Sequence, residues 1–114
     1  MAAFTIEPVH GTVVARADGM VVSETSAAVV LREGDYDPVY YFPRDDAGME
    51  FLDRSAKVTN CPHKGQATHF DMSLASGTIS NAAWSYETPV AGAEAIAGRI
   101  AFYPDKVTVE QMSD

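Results

Sequence analysis

A single cysteine, Cys61, excludes an intrachain disulfide and a cysteine-rich zinc knuckle, because structural zinc needs several thiolates or imidazoles at paired spacing. The only other soft ligands are His10, His63 and His69, and Cys61-x-His63 is not a zinc spacing, so neither a metal nor another cofactor is expected. Basic residues are scarce. Eight Lys and Arg against sixteen Asp and Glu leave a formal charge of −8, which argues against duplex nucleic acid, whose phosphates demand a basic surface. Long hydrophobic runs are absent as well. The stretch Ala27-Ala28-Val29-Val30-Leu31 falls far short of the roughly 20 residues of a membrane helix, so no membrane partner is expected. The first residues lack a basic segment followed by an apolar one, which points away from a secretory signal and toward the cytoplasm. Glycine-rich phosphate loops, the serine nucleophile elbow and the His-Glu-x-x-His zinc motif are also missing.

What remains is a chain of 114 residues, enough for one domain with one core, expected over residues 1–114 with the core from about 4 to 110. Twelve valines against three leucines favour strands, since β-branched side chains suit a pleated surface and lose rotamer freedom in a helix. Thr12 to Arg16, Asp18-Gly19 and Met20 to Ser23 read as a hairpin. Ala27 to Arg32 reads as a strand, and Pro38 restarts an extended run through Phe42 that Pro43 ends. Asp45 to Met49 suits a helical turn and Glu50-Phe51-Leu52 a short strand. Ala56 to Asn60 and Gln66 to Met72 are extended, joined by a four-residue loop, Pro62-His63-Lys64-Gly65, in which Gly65 supplies a positive φ. Thr78 to Glu87 is the longest expected strand, followed by a brief helix over Gly92 to Ala97 that Gly98 stops. Arg99 to Tyr103 and Val107 to Glu110 complete eight to ten strands, with Gln111 to Asp114 as a frayed tail. The fold class is all-β, mainly β with one or two short helices, arranged as curled sheets in a sandwich or partly open barrel.

The chemistry concentrates in Asn60-Cys61-Pro62-His63-Lys64-Gly65-Gln66-Ala67, which gathers a thiol, an imidazole and an ammonium in one turn. Cationic neighbours favour a thiolate at Cys61, while the plainer reading is a buried, inert cysteine. Lys64 beside loop amides suits a phosphate or carboxylate, against a solvated hairpin lysine. Aromatics cluster near strand ends: Tyr40-Tyr41-Phe42, Trp84 with Tyr86, and Phe102-Tyr103. Strand alternation puts Trp84 and Tyr86 on one face with Ala82, either as core or as the wall of a pocket for a planar ligand. Arg44, Asp45 and Asp46 follow that first aromatic run; the adjacent carboxylates suggest a divalent metal, but neighbours in sequence rarely converge on one ion, and interaction with a helix N-terminus is simpler. Glu87 and Glu94 qualify for acid or base work only if they fold into the aromatic pocket.

The series Tyr40 to Asp46, Cys61 to Ala67, Asn81 to Glu87 and Ile100 to Pro104 resembles, in order and spacing across nearly the whole chain, a small bacterial and fungal family, domain of unknown function 427. The resemblance implies a compact domain shaped like the β-tent group, with a pocket between two sheets. Zinc in that group is held by paired Cys-x-x-Cys motifs, which this sequence lacks. A nucleotidyltransferase-like label is sometimes attached to the family, but the Gly-Ser loop and spaced carboxylates of such enzymes are missing here. The leading expectation is a binding domain whose cleft, lined by Tyr41, Trp84, Tyr86 and Tyr103, takes a small planar or anionic ligand. Lys64 supplies charge, and Arg44, Asp46, Cys61 and His63 stand nearby. An enzyme with Cys61 or Lys64 as nucleophile, and a structural domain forming a homodimer through a strand edge, are the alternatives.

Overall fold

A computed structural model describes residues 4–112. Among these residues ten strands build three antiparallel sheets, and none closes into a barrel. The first sheet joins β1 (Phe4–Pro8), β4 (Val29–Glu33) and β5 (Val39–Tyr41) in the order β1-β4-β5. The second joins β2 (Thr12–Ala17), β3 (Met20–Thr25) and β10 (Thr108–Met112) in the order β10-β2-β3. The third runs β6-β7-β8-β9, from β6 (Leu52–Cys61), β7 (Gly65–Leu74), β8 (Gly77–Ser85) and β9 (Ala101–Phe102). Among the described residues helix is confined to three single 3₁₀ turns, Arg44–Asp46, Met49–Phe51 and Glu94–Ile96. No helix among the described residues is long and apolar enough to cross a membrane.

The Asp18-Gly19 turn closes β2 onto β3 with both residues at positive φ, 55° and 77°, the pair of torsions that matches the twist of a tight hairpin. Boundaries differ from the sequence reading at several points: Thr78 to Glu87 becomes Gly77–Ser85, Arg99 to Tyr103 keeps only Ala101–Phe102 as strand, and the helix expected over Gly92 to Ala97 is the 3₁₀ turn Glu94–Ile96. Met49–Phe51 is a 3₁₀ turn, not the start of a strand, because Gly48 at φ 69° swings the chain left-handed just before it. Gly65 pairs with Cys61 across β6 and β7, so the loop between them holds three residues and these two strands, at ten residues each, exceed the nine of β8. Gln111 and Met112 are not frayed, since they pair with Val13 and Thr12; the rest of that expected tail, 113–114, lies outside the described residues.

The first and third sheets are stitched edge to edge. Phe42, just past β5, exchanges backbone bonds of 2.8 and 3.0 Å with Ile100, just before β9. Strand alternation then divides the side chains of this composite sheet between two faces. On one face Val30, Phe42, Phe70, Ala83, Ile100 and Phe102 join Val13, Ala15 and Val22 of the second sheet in the main core. On the other, Leu31, Tyr41 and Ala101 meet Ala93 and Ile96 in a smaller cluster, with Val39, Trp84 and Tyr86 half-buried against it. The main core stabilises the fold, at about 25 cal/mol per Å² of apolar surface removed from water. The second face is only partly covered, and the candidate site lies there.

Candidate functional site

Three strands present side chains at every second position to one cleft of about 520 Å³. They are Leu31 and Glu33 from β4, Val39 and Tyr41 from β5, and Trp84 with Tyr86 from β8 and the residues after it. The register makes these neighbours, because Leu31 faces Val39 across the β4–β5 ladder. The β6–β7 turn closes one end with Cys61, His63 and Lys64, and the β4–β5 connection brings Tyr36 and Asp37 to the rim.

The turn is held from behind. The Lys64 N–H donates to the Cys61 carbonyl at 3.2 Å, and the Lys64 carbonyl accepts from the Val90 N–H at 2.9 Å. Gly65 sits at φ 118°, and a Cβ there would lie 3.4 Å from the Pro89 and Val90 backbone. This backbone fixes where Lys64 projects. Its ammonium, largely buried, pairs with Glu33 Oε1 at 2.9 Å and lies 3.8 Å from Cys61 Sγ. The charge that the sequence suggested for an anion is therefore already matched by a carboxylate thirty-one residues away.

The aromatic walls are ordered by their own contacts. Tyr41 and Trp84 meet edge to face with ring centres 6.3 Å apart. Burial raises the Tyr41 phenol far above its ordinary value, and it pushes the Tyr86 phenol up to about 12, with the neighbouring Cys61 next in effect. Both phenols stay protonated at neutral pH and act as hydrogen-bonding groups rather than bases.

Other candidate residues are placed elsewhere. Tyr103 does not line the cleft; it packs behind Trp84 at 4.5 Å between ring centres and stacks on His69. Its hydroxyl lies 3.2 Å from His69 Nδ1, while Thr59 Oγ1 lies 2.8 Å from Nε2. Arg44 turns away, pairing with Glu87 at 2.9 Å and donating to the Gly98 carbonyl, with its guanidinium over the Phe70 ring. Glu87 also binds Arg54 at 2.7 Å, and those guanidinium bonds hold its carboxyl below the usual range. Asp46 accepts from Thr25 Oγ1 at 2.8 Å, tying its 3₁₀ turn to the end of β3, and Glu94 accepts from the nearby Gly92 N–H at 2.8 Å, bracing local backbone. Among the described residues no three His, Cys, Asp or Glu side chains gather as a metal ion would require.

Sequence reasoning did not single out Glu33, Tyr36, Asp37, Leu31 or Val39. The alternation of Leu31 with Glu33 and of Val39 with Tyr41 was the available signal, but only the strand pairing aims both at the same space. A family model described as Domain of unknown function (DUF427) matches residues 5–113. No curated protein matches the chain.

Proposed function

We propose that this chain, which belongs to the DUF427 family, is a small-molecule-binding β domain that takes a planar organic ligand in the cleft between β4, β5 and β8. The observation that carries this reading is the convergence of Tyr41, Trp84 and Tyr86 on one cleft of about 520 Å³ that also holds an ion pair, Lys64 with Glu33. Its size lies within the range of small-molecule sites, about 300–1,000 Å³. The half-buried Trp84 and Tyr86 offer flat apolar faces, while the phenols and the ion pair supply the few polar contacts that fix orientation. Cys61 stands in the wall as a lining residue.

A thermal-shift screen against planar heterocycles, aromatic amines and aromatic acids tests the reading, run in parallel on Tyr86→Ala. A ligand present at about 100 times its Kd stabilises by roughly 2.7 kcal/mol, a rise of several degrees for a domain of this size. The rise is expected in the wild type and is lost in the variant. A rise of equal size in both proteins contradicts binding in this cleft.

A second reading has one observation in its favour, the approach of Lys64 Nζ to Cys61 Sγ at 3.8 Å. An ammonium beside a sulfur suits an activated nucleophile. Under this reading iodoacetamide at pH ~7 labels Cys61 in the folded wild type at least about tenfold faster than in Lys64→Met. Equal rates in the two proteins remove nucleophilic catalysis by Cys61 with Lys64.

A further inference from the structure

The charges around the cleft do not suit an anion. Lys64 is the single lysine or arginine in its lining, and its ammonium is bonded to Glu33 at 2.9 Å and screened from water. An arriving carboxylate or phosphate would have to compete with Glu33 for that ammonium and leave the Glu33 carboxylate half-buried beside it. Such a competition loses a short charge-assisted bond before it gains one. The lining also holds a second carboxylate, Asp37, which forms no ion pair among the described residues. With His63 neutral, Glu33, Asp37 and Lys64 sum to one net negative charge, in a chain whose formal charge is −8.

The walls point the same way. Tyr36, Tyr41, Trp84 and Tyr86 all border the cleft. Aromatic rings carry negative faces that attract cations, most strongly for tryptophan. An acidic surface raises the local concentration of cations and repels anions.

Resting on the reading of the cleft as a ligand site, we infer that its ligand is an organic cation: a small planar or aromatic ammonium. Its apolar body lies against Trp84 and Tyr86, and its charge sits toward Asp37 and the side of Glu33 that Lys64 does not occupy. The Lys64–Glu33 pair then serves to hold the Glu33 carboxylate in position rather than to receive an anion.

Trp84 is the only tryptophan, so its fluorescence reports the cleft without labelling. The test titrates the full chain at pH ~7.5, above the imidazole range, in phosphate buffer with three compounds of nearly equal shape: benzylamine, benzyl alcohol and benzoate. Benzylamine is expected to bind at least about tenfold more tightly than benzyl alcohol, given the added cation–π and carboxylate attraction. Benzoate is expected to bind more weakly than either. Raising the salt from ~20 to ~500 mM should narrow the gap between benzylamine and benzyl alcohol without abolishing alcohol binding. Asp37→Asn, at an exposed position, should weaken benzylamine by about threefold or more and shrink its preference over benzyl alcohol by a similar factor. Benzyl alcohol or benzoate binding as tightly as benzylamine overturns the cation assignment while leaving the cleft a ligand site. No response of Trp84 to any of the three, with none displaced by a planar heterocycle, overturns both.

Discussion

Gly48 and His69 show how single residues set limits on this fold. A Cβ at Gly48 would stand 2.1 Å from the Val22 carbonyl oxygen, and the residue holds φ at 69°, so both space and torsion exclude a side chain. Gly48→Ala is expected to cost about 2 kcal/mol or more in urea unfolding, since backbone must move to admit it. His69 is buried with a hydroxyl at each ring nitrogen, and burial, aided by Lys57, lowers its pKa from the ordinary value. The unfolded chain therefore binds this proton more readily than the folded one. The stability that neutral His69 contributes is complete above about pH 6.5 and is lost as pH falls through that value toward its lower folded pKa. Urea midpoints measured from pH 7.5 to 5 should fall for the wild type and stay flatter for His69→Gln; parallel curves would show that His69 is not the group responsible. Glu87 acts in a lower window. Its folded pKa is depressed by Arg54 and Arg44, so its contribution is present above the ordinary glutamate value and disappears as pH falls below it.

Among the elements, the β6–β7 turn matters most to the site because it places Cys61, His63 and Lys64. Gly65→Val should destabilise by roughly 1 kcal/mol or more, through its positive φ and its closeness to the Pro89–Val90 backbone. Unchanged thermal stability in that variant would contradict this account of the turn. The glycine's role was legible in the sequence, as was the Asp18-Gly19 hairpin, because each needs a backbone torsion that few residues adopt. Other features depend on long-range pairing and could not be read locally. The first strand, Phe4–Pro8, carries only the short alternation Phe4-x-Ile6 before a proline, and it becomes a strand by pairing with β4. The bulge where Asn81 takes φ 48° is likewise settled by a partner, with the Asn81 N–H donating to Asp71 at 2.8 Å.

At the scale of the whole molecule, one composite sheet has a face that packs into the main core and a face that is partly open. Alternation in β8 set Trp84 and Tyr86 on one side, but Ala82, expected with them, joins the main core beside the irregular backbone at Asn81; the same rule extends to β4 and β5 once their register is known. It could not show that Tyr103 backs Trp84 from behind, that Arg44 is drawn into the Glu87 network, or that Glu33 neutralises Lys64, since each depends on chain segments far apart in sequence. Trp84 is consequently neither pure core nor a free surface group. Trp84→Ala is expected to cost about 2 kcal/mol, below the 3–5 of a fully buried large aromatic, with the ring's contacts to Tyr41 and Tyr103 accounting for the loss. A loss in the full core range would mean that the cleft is closed in solution.

The most direct measurement is a two-dimensional amide spectrum of the labelled protein titrated with a planar aromatic ligand from the thermal-shift screen. The single indole N–H belongs to Trp84. That signal, with the backbone amides of Tyr41, Cys61 to Gly65 and Tyr86, should shift together along one saturating curve while β2, β3 and β10 stay still. Saturable shifts confined to another surface, with the Trp84 indole unmoved, would contradict a binding site on the open face of the composite sheet.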